Sequence, residues 1–185
     1  MKQLNLDKIK ATLERVPEEF DGMVAQIGFP SGINYEDGTP VAYVATIQEF
    51  GAPEVRIPPR PFMRPTVKAK KKEWSKIIAQ GVPRVVLGKM SAFDVLDLVG
   101  IKASADIQTT IAGVYSPPLS PITVLLRKWK KEGRKITGRT VGEASRAIGN
   151  GVDPGSDNKP LNASGLMVAS VRNAVAKTGS DFTGS

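Results

Sequence analysis

The side chains in this chain best suited by type and spacing to chemistry are cations. Lys68, Lys72 and Lys76 recur at i, i+4 and i+8, which lines them along one side of a helix. Lys70 and Lys71 flank the apolar stripe of the same segment. Further on, Arg127, Lys128, Lys130 and Lys131 set four cations around the indole of Trp129. Both patterns suit neutralisation of phosphates, and the second adds a ring on which a base can stack. Each also has an ordinary reading. The first is a solvated helix face, and the second is a helix C-terminus whose partial negative charge favours cations. Bond-making chemistry is harder to assemble. The 185 residues include no cysteine and no histidine. Thiolate chemistry and Ser–His or Cys–His nucleophiles are therefore excluded, and a zinc site would have to use carboxylates alone. Glu18, Glu19 and Asp21 are the only clustered acids, and they read more simply as a solvated turn. Gly149-Asn150-Gly151 lacks the following lysine that a phosphate loop needs. No catalytic, cofactor-binding or metal-ligating residue is assigned, no cofactor is expected, and neither is an enzyme.

Composition sets wider bounds. At 41% hydrophobic and 6% aromatic residues, the chain can build a mostly aliphatic core. The net charge of +8 is compatible with a polyanionic partner without demanding one. Met1-Lys2-Gln3-Leu4 lacks the apolar core of a signal peptide, and no apolar run approaches the ~20 residues that span a bilayer. Cytoplasmic synthesis with no membrane partner is the expectation, so the Asn162-Ala163-Ser164 triplet carries no glycosylation meaning.

The elements that must position these cations follow from periodicity and turn chemistry. Leu6, Ile9, Leu13 and Val16 predict an amphipathic helix over 5–15, limited by Pro17. Met23, Ala25, Ile27 and Phe29 alternate with Val24, Gln26 and Gly28, predicting a strand over 22–29 and then turns to Gly38. Thr39-Pro40 opens a helix, with Thr39 as cap and Pro40 at its first position, and Gly51 stops it. Pro53, Pro58, Pro59 and Pro61 stiffen a strap over 52–61, with Val55-Arg56-Ile57 as an extended arm or edge strand. A helix from Pro65 to about Gln80 carries Val67, Trp74, Ile77 and Ile78 on its apolar side, and Gly81-Val82-Pro83 breaks it. Ser91 caps a third helix over 91–113, striped by Ala92, Leu96, Val99, Ala103, Ile107 and Ile111. Ser120-Pro121 starts a fourth, through Ile122, Leu125, Leu126 and Trp129. Residues 133–158 read as a mobile glycine-rich loop with one short helix near 140–148. A helical turn near 159–167 then leads into a strand over 168–176 carrying Val171 and Val175, and 178–185 fray. The expected fold class is α+β: a small antiparallel sheet flanked by several helices, in one domain over 1–177 with 133–158 as an insertion.

Three elements in this order resemble the proteins of tailed-phage virion morphogenesis, the head–tail joining, neck and tail-completion group. Glu49-Phe50-Gly51, the strap and Arg60-Pro61-Phe62-Met63-Arg64-Pro65 resemble that family's "EFG" helix end, proline strap and long helix. Pro117-Pro118-Leu119-Ser120-Pro121-Ile122-Thr123 resembles its "PPLSPxT" element. Lys159-Pro160-Leu161, Ser164-Gly165-Leu166-Met167 and Ser170-Val171-Arg172 resemble its "PLxxTG-helix-S" element, with Ser164 where threonine is usual. Residues 133–158 have no counterpart in the pattern.

The resemblance implies a virion protein of the head–tail junction, a neck, tail-completion or tail-terminator subunit assembled in the bacterial host cytoplasm as a ring of six or twelve copies. Its expected partners are its own copies, other neck, portal-adaptor and tail-tube proteins, and genomic DNA in the channel. A stiff strap loses little entropy on docking. The expected subunit interface is therefore Val55, Ile57, Arg60, Phe62, Met63 and Arg64, with Phe62 and Met63 as apolar anchors. The competing reading is a basic DNA-binding protein acting through Lys68, Lys72, Lys76 and the 127–131 cluster.

Overall fold

The fold is α+β. The structure, a computed structural model, describes residues 14, 16–160 and 165–182. The helix expected over 5–15 lies outside these except for Glu14, as does the Asn162-Ala163-Ser164 triplet. Residues 16–20 are helical, so Pro17 does not end the helix there; its fixed φ is itself compatible with helical backbone.

Strand β1 spans Met23–Gly28 and pairs antiparallel with β2, Arg172–Lys177. Met23 lies opposite Lys177 and Gly28 opposite Arg172. The second strand starts later than the sequence suggested, because Val168 and Ala169 belong to the short helix α6, Leu166–Ala169. Val171, expected in the strand, sits between the two and is buried in the core. The segment after β2 is tied back through residue 182, not frayed. Thr178 N–H donates to Gly22 O at 2.7 Å, Ser31 N–H to Phe182 O at 3.1 Å, and the Gln26 side chain to Ser180 O at 2.7 Å.

Helix α1 is Val41–Phe50, α2 Met63–Val86 and α3 Ala92–Gly113. Helix α3 packs against both strands on one side and α2 on the other, giving three layers: sheet, α3, α2. Its stripe reads as expected, with Val99, Ala103, Ile107 and Ile111 buried, and Ser91 and Asp94 form a reciprocal capping box. Thr39 does not cap α1. The Asp37 carboxylate accepts from the Thr39 N–H instead, and Pro40 is the cap residue.

Helix α2 is longer than its sequence suggests. Gly81-Val82-Pro83 does not break it, and Pro83 lies inside its last turn. The reason is tertiary. A Cβ on Gly81 would lie 2.6 Å from the methyls of Val95, so Gly81 is the notch that lets α3 approach. Gly100 plays the same part between α3 and Asn173 of β2, whose amide donates to Asp97 at 2.8 Å. Thr66 and not Val67 faces inward: Val67 is exposed, while the Thr66 and Thr110 hydroxyls meet at 2.6 Å.

The main core gathers Val41, Ala45, Phe62, Ile107, Ile111, Met167 and Val171. The Phe29 ring stands edge-on to Phe62, centroids 5.9 Å apart. Helices α4, Pro121–Lys131, and α5, Gly138–Gly149, pack on one another. Ser120 and Thr137 are their capping residues. The short helix expected near 140–148 within the glycine-rich 133–158 segment is thus present, spanning twelve residues with Ala144 buried.

Two glycines should respond in opposite directions. Gly51 has φ 78° and ψ 175°, and a Cβ there would lie 2.9 Å from both Ile57 O and Pro59 N. Gly51→Ala should destabilise by about 1–3 kcal/mol through strain and clash. Gly142 lies within α5 with nothing within 4 Å of a Cβ. Gly142→Ala should stabilise by about 0.5–1 kcal/mol. Urea midpoints of the two variants check both signs.

Candidate functional site

The strap does not extend. Pro53–Val55 makes one turn of 3-10 helix, Arg56 takes left-handed backbone at φ 58°, and Ala52 and Ile57 exchange both backbone hydrogen bonds at 2.9 and 3.0 Å. Val55-Arg56-Ile57 is therefore a folded-back loop and not an arm. Proline stiffness survives only at its exit, where Pro58 and Pro59 lead the backbone to Arg60, whose N–H donates to Gln48 O at 2.6 Å.

Beyond the strap, α2 begins at a residue that cannot cap it. Its N-cap is Phe62, with no side-chain acceptor of its own. The vacancy is filled from α1. The Glu49 carboxylate accepts from Phe62 N–H at 2.7 Å, Met63 N–H at 2.8 Å and Arg64 N–H at 3.1 Å. Arg64 then closes back on the same group, with Nε donating to Glu49 Oε1 at 2.8 Å and Nη2 to Glu49 O at 2.9 Å. Its guanidinium lies 4.7 Å over the Phe50 ring. Burial alone would raise the Glu49 carboxyl. Arg64 and the three backbone donors outweigh it, and the group is held below the usual carboxylate range.

Arg60 is the second anchor. It is buried, with Nε donating to Pro117 O at 2.7 Å, Nη2 to Pro118 O at 3.1 Å and Nη1 to Gln48 Oε1 at 3.2 Å. Desolvation, then the neighbouring Arg127, lower its affinity for its proton. Leu119 N–H donates to Asn158 O at 2.9 Å, and Arg127 Nη1 to Lys159 O at 2.9 Å. The strap, the Pro117–Ser120 turn and the 158–160 segment therefore meet at one junction.

This placement corrects the interface expected from sequence. Phe62 is fully buried in the chain's own core, and Arg60 is buried with three of its side-chain donors bound within the chain. Neither is presented to a neighbour. Met63 and Ile57 are half-buried, Met63 against the core. Arg64 is exposed along its side chain, though tied to Glu49. Val55 projects at the loop tip, 66% exposed. Beside the junction, Phe29, Ala42, Ala45, Thr46, Phe50 and Met63 line an open apolar hollow of about 310 Å³.

The two cationic groups fare differently. Lys68, Lys72 and Lys76 are exposed along α2, with no partner among the described residues. In the 127–131 cluster Arg127 is half-buried and Lys131 pairs with Asp157 at 3.0 Å, leaving Lys128 and Lys130 exposed. The indole of Trp129 is covered by none of the four. Arg134 lies over it at 4.0 Å and pairs with Glu143 at 2.7 Å. Sequence reasoning missed Arg134, Glu143 and Asp157, whose partners lie 5 to 26 residues away with no spacing to signal them. Tyr35, Glu36, Arg127, Lys130, Lys131, Asp157 and Leu166 line a cleft of about 540 Å³. No trio of His, Cys, Asp or Glu side chains among the described residues is grouped to hold a metal ion, and none of the described helices is long and apolar enough to cross a membrane.

No family model, curated protein or solved structure matches the chain.

The junction makes two stability predictions. Arg60→Lys keeps the charge but cannot reach three acceptors spread over a planar fork, and should destabilise by about 1–3 kcal/mol. For Glu49→Gln, the loss at neutral pH should be about 2–3 kcal/mol. The Glu49 carboxyl has a folded pKa below its unfolded value, so its contribution is complete above the unfolded value and is lost as pH falls through the folded one. The gap between wild type and Glu49→Gln should therefore narrow as pH falls from neutral through and below the usual carboxylate range. Urea midpoints along that range test it, and a gap independent of pH would contradict the capping role.

Proposed function

We propose that the chain is a structural virion subunit of the phage head–tail junction, of the neck, tail-completion or tail-terminator kind, acting as a ring-forming adaptor. Three sequence elements, in order, resemble that morphogenesis family, and the α+β fold is compatible with it. The observation that carries the ring is the exposed apolar surface around a rigid strap. Val55 stands exposed at the loop tip, Phe50, 60% exposed, lines the open hollow, and Tyr43 of the same helix is exposed to the same degree. Scattered exposed apolar residues are ordinary, but an open apolar hollow with Phe50 exposed at its wall, on a fixed frame, suits a subunit contact.

On this reading the strap works by being immobile. The anchors at Glu49 and Arg60 fix the Val55 loop before assembly, so docking orders little chain. The contact residues are Val55, Phe50 and the exposed part of Arg64, and the neighbouring copy supplies the complementary surface. A stable contact should bury at least about 1,000 Å². Portal-adaptor and tail-tube proteins are the further partners, and the virion is the site of action.

Native mass spectrometry of the purified chain, alone and with neck and tail-tube proteins of the same phage, tests the proposal. One closed species of six or twelve copies is expected. Val55→Asp with Phe50→Asp should shift it to monomer while the melting temperature of the monomer stays within a few degrees of wild type. A wild-type chain that stays monomeric with those partners present overturns the ring.

A further inference from the structure

Helix α2 divides its polar residues unequally. Its single acid, Glu73, accepts from Lys70 at 2.8 Å and stands 3.9 Å from Lys102 of α3. Lys102 also pairs with Asp106, which accepts from Trp74 Nε1 at 2.9 Å. Glu73 and Asp106 are thus engaged on the side that faces α3. On the outer side Lys68, Lys71, Lys72 and Lys76 are exposed, and none has an acceptor among the described residues.

The helix dipole does not account for this cationic segment. Cations are favoured in the last turn of a helix, whereas these four lie in the first fourteen residues of a helix that starts at Met63, with no acid in its first turn. Lys68 with Lys71, Lys68 with Lys72, and Lys72 with Lys76 are like-charged pairs at i,i+3 or i,i+4, each destabilising by about 0.2–0.5 kcal/mol. A bound polyanion relieves all of these terms together.

The shape of the face selects the polyanion. Four residues of helix rise about 6 Å, so Lys68 to Lys76 form a straight row of about 12 Å. Ser75 lies between the lysines and Ala79 one turn beyond them, small residues that let the row approach a surface closely. The face is convex, so it cannot enclose a small anion. It carries no aromatic ring, so it offers no platform for unstacked bases. The apolar side of α2 is packed on α3 and is not free to enter a lipid surface.

We propose that the outer face of α2, through Lys68, Lys71, Lys72 and Lys76, binds the phosphodiester backbone of duplex DNA without reading its sequence. The inference does not rest on the ring, because one copy carries the whole row. It also separates α2 from the 127–131 cluster, where Arg127 and Lys131 already have partners within the chain.

Fluorescence anisotropy with two unrelated 30-bp duplexes, across about 50 to 200 mM salt, tests it. Both duplexes should bind alike, with a log–log salt slope of about −3 to −4 for four phosphate contacts. Neutralising the row to glutamine (K68Q, K71Q, K72Q, K76Q) should weaken binding at least about 100-fold at the lowest salt and flatten the slope. The control removes four exposed charges elsewhere (K89Q, K128Q, K135Q, K177Q) and should stay within about threefold of wild type with the slope kept. Equal loss in both variants would reduce the effect to net charge and overturn the proposal. So would absence of binding by the wild type at low salt, or row-dependent binding to phosphatidylserine vesicles but not to DNA.

Discussion

One carboxylate joins the two halves of the strap. Glu49, in the last turn of α1, closes the open N-terminus of α2 by accepting three consecutive backbone N–H groups and the side chain of Arg64. The 24-residue helix starting at Met63 has Phe62 as its N-cap residue and no side-chain cap of its own, and its first donors sit beside the buried Phe62 ring. Leaving such donors unmet in a desolvated position costs about 1–3 kcal/mol each. The carboxylate removes that penalty at several donors together. It also fixes where α2 begins relative to α1, and hence where α3 must lie. The length of the chain between Gly51 and Pro61 then has only one economical path: a tight turn at glycine, a folded-back loop, and a return to Gln48.

Arg60 extends the constraint to a distant part of the chain. Its fork binds the carbonyls of Pro117 and Pro118, and proline-rich turns leave such carbonyls free because they form no regular ladder. Asn158 and Lys159 then join the same junction through Leu119 and Arg127. The elements that carry the family resemblance therefore make or adjoin a single structural knot. A likeness carried by such a knot speaks first to how the chain folds, since a fold hosts many functions. The functional reading has to come from what the knot leaves outside it: the Val55 loop, the hollow beside Phe50, and the lysine row of α2.

Local signals in the sequence located most elements. The alternation at 23–29, the stripe of α3 and the serine caps at 91 and 120 depend on neighbours a few residues away, and the structure keeps them. What failed were inferences in which a distant residue decides. Gly81 and Pro83 read as a breaker until Val95 needs the notch. Val55-Arg56-Ile57 reads as extended until Ala52 pairs with Ile57. Arg60 and Phe62 read as interface residues because a stiff strap loses little entropy on docking. Their burial follows from carbonyls 57 and 58 residues away and from an aromatic partner on the other side of the core. The lysine row was found because its spacing is itself the signal, and its exposure needs no partner to produce it.

Charge is distributed along the chain in a way that the knot makes meaningful. Residues 63–86 hold seven cations against one acid and residues 121–149 eight against two, while the remaining residues hold fifteen acids against eleven cations. Outside two basic helical segments the sequence is thus net acidic. In α4 and α5 part of that charge is neutralised internally, through Lys131 with Asp157 and Arg134 with Glu143. On the outer face of α2 it is not. Because Glu49 and Arg60 fix α2 in the frame, its field has a fixed direction relative to the Val55 loop and the hollow. Screening confines that field to within about 8 Å at physiological salt. It therefore acts at contact. On the proposed readings it biases which face of the molecule meets a polyanion and leaves the apolar surface around the strap for a protein neighbour, two surfaces that differ in chemistry and are held by the same frame.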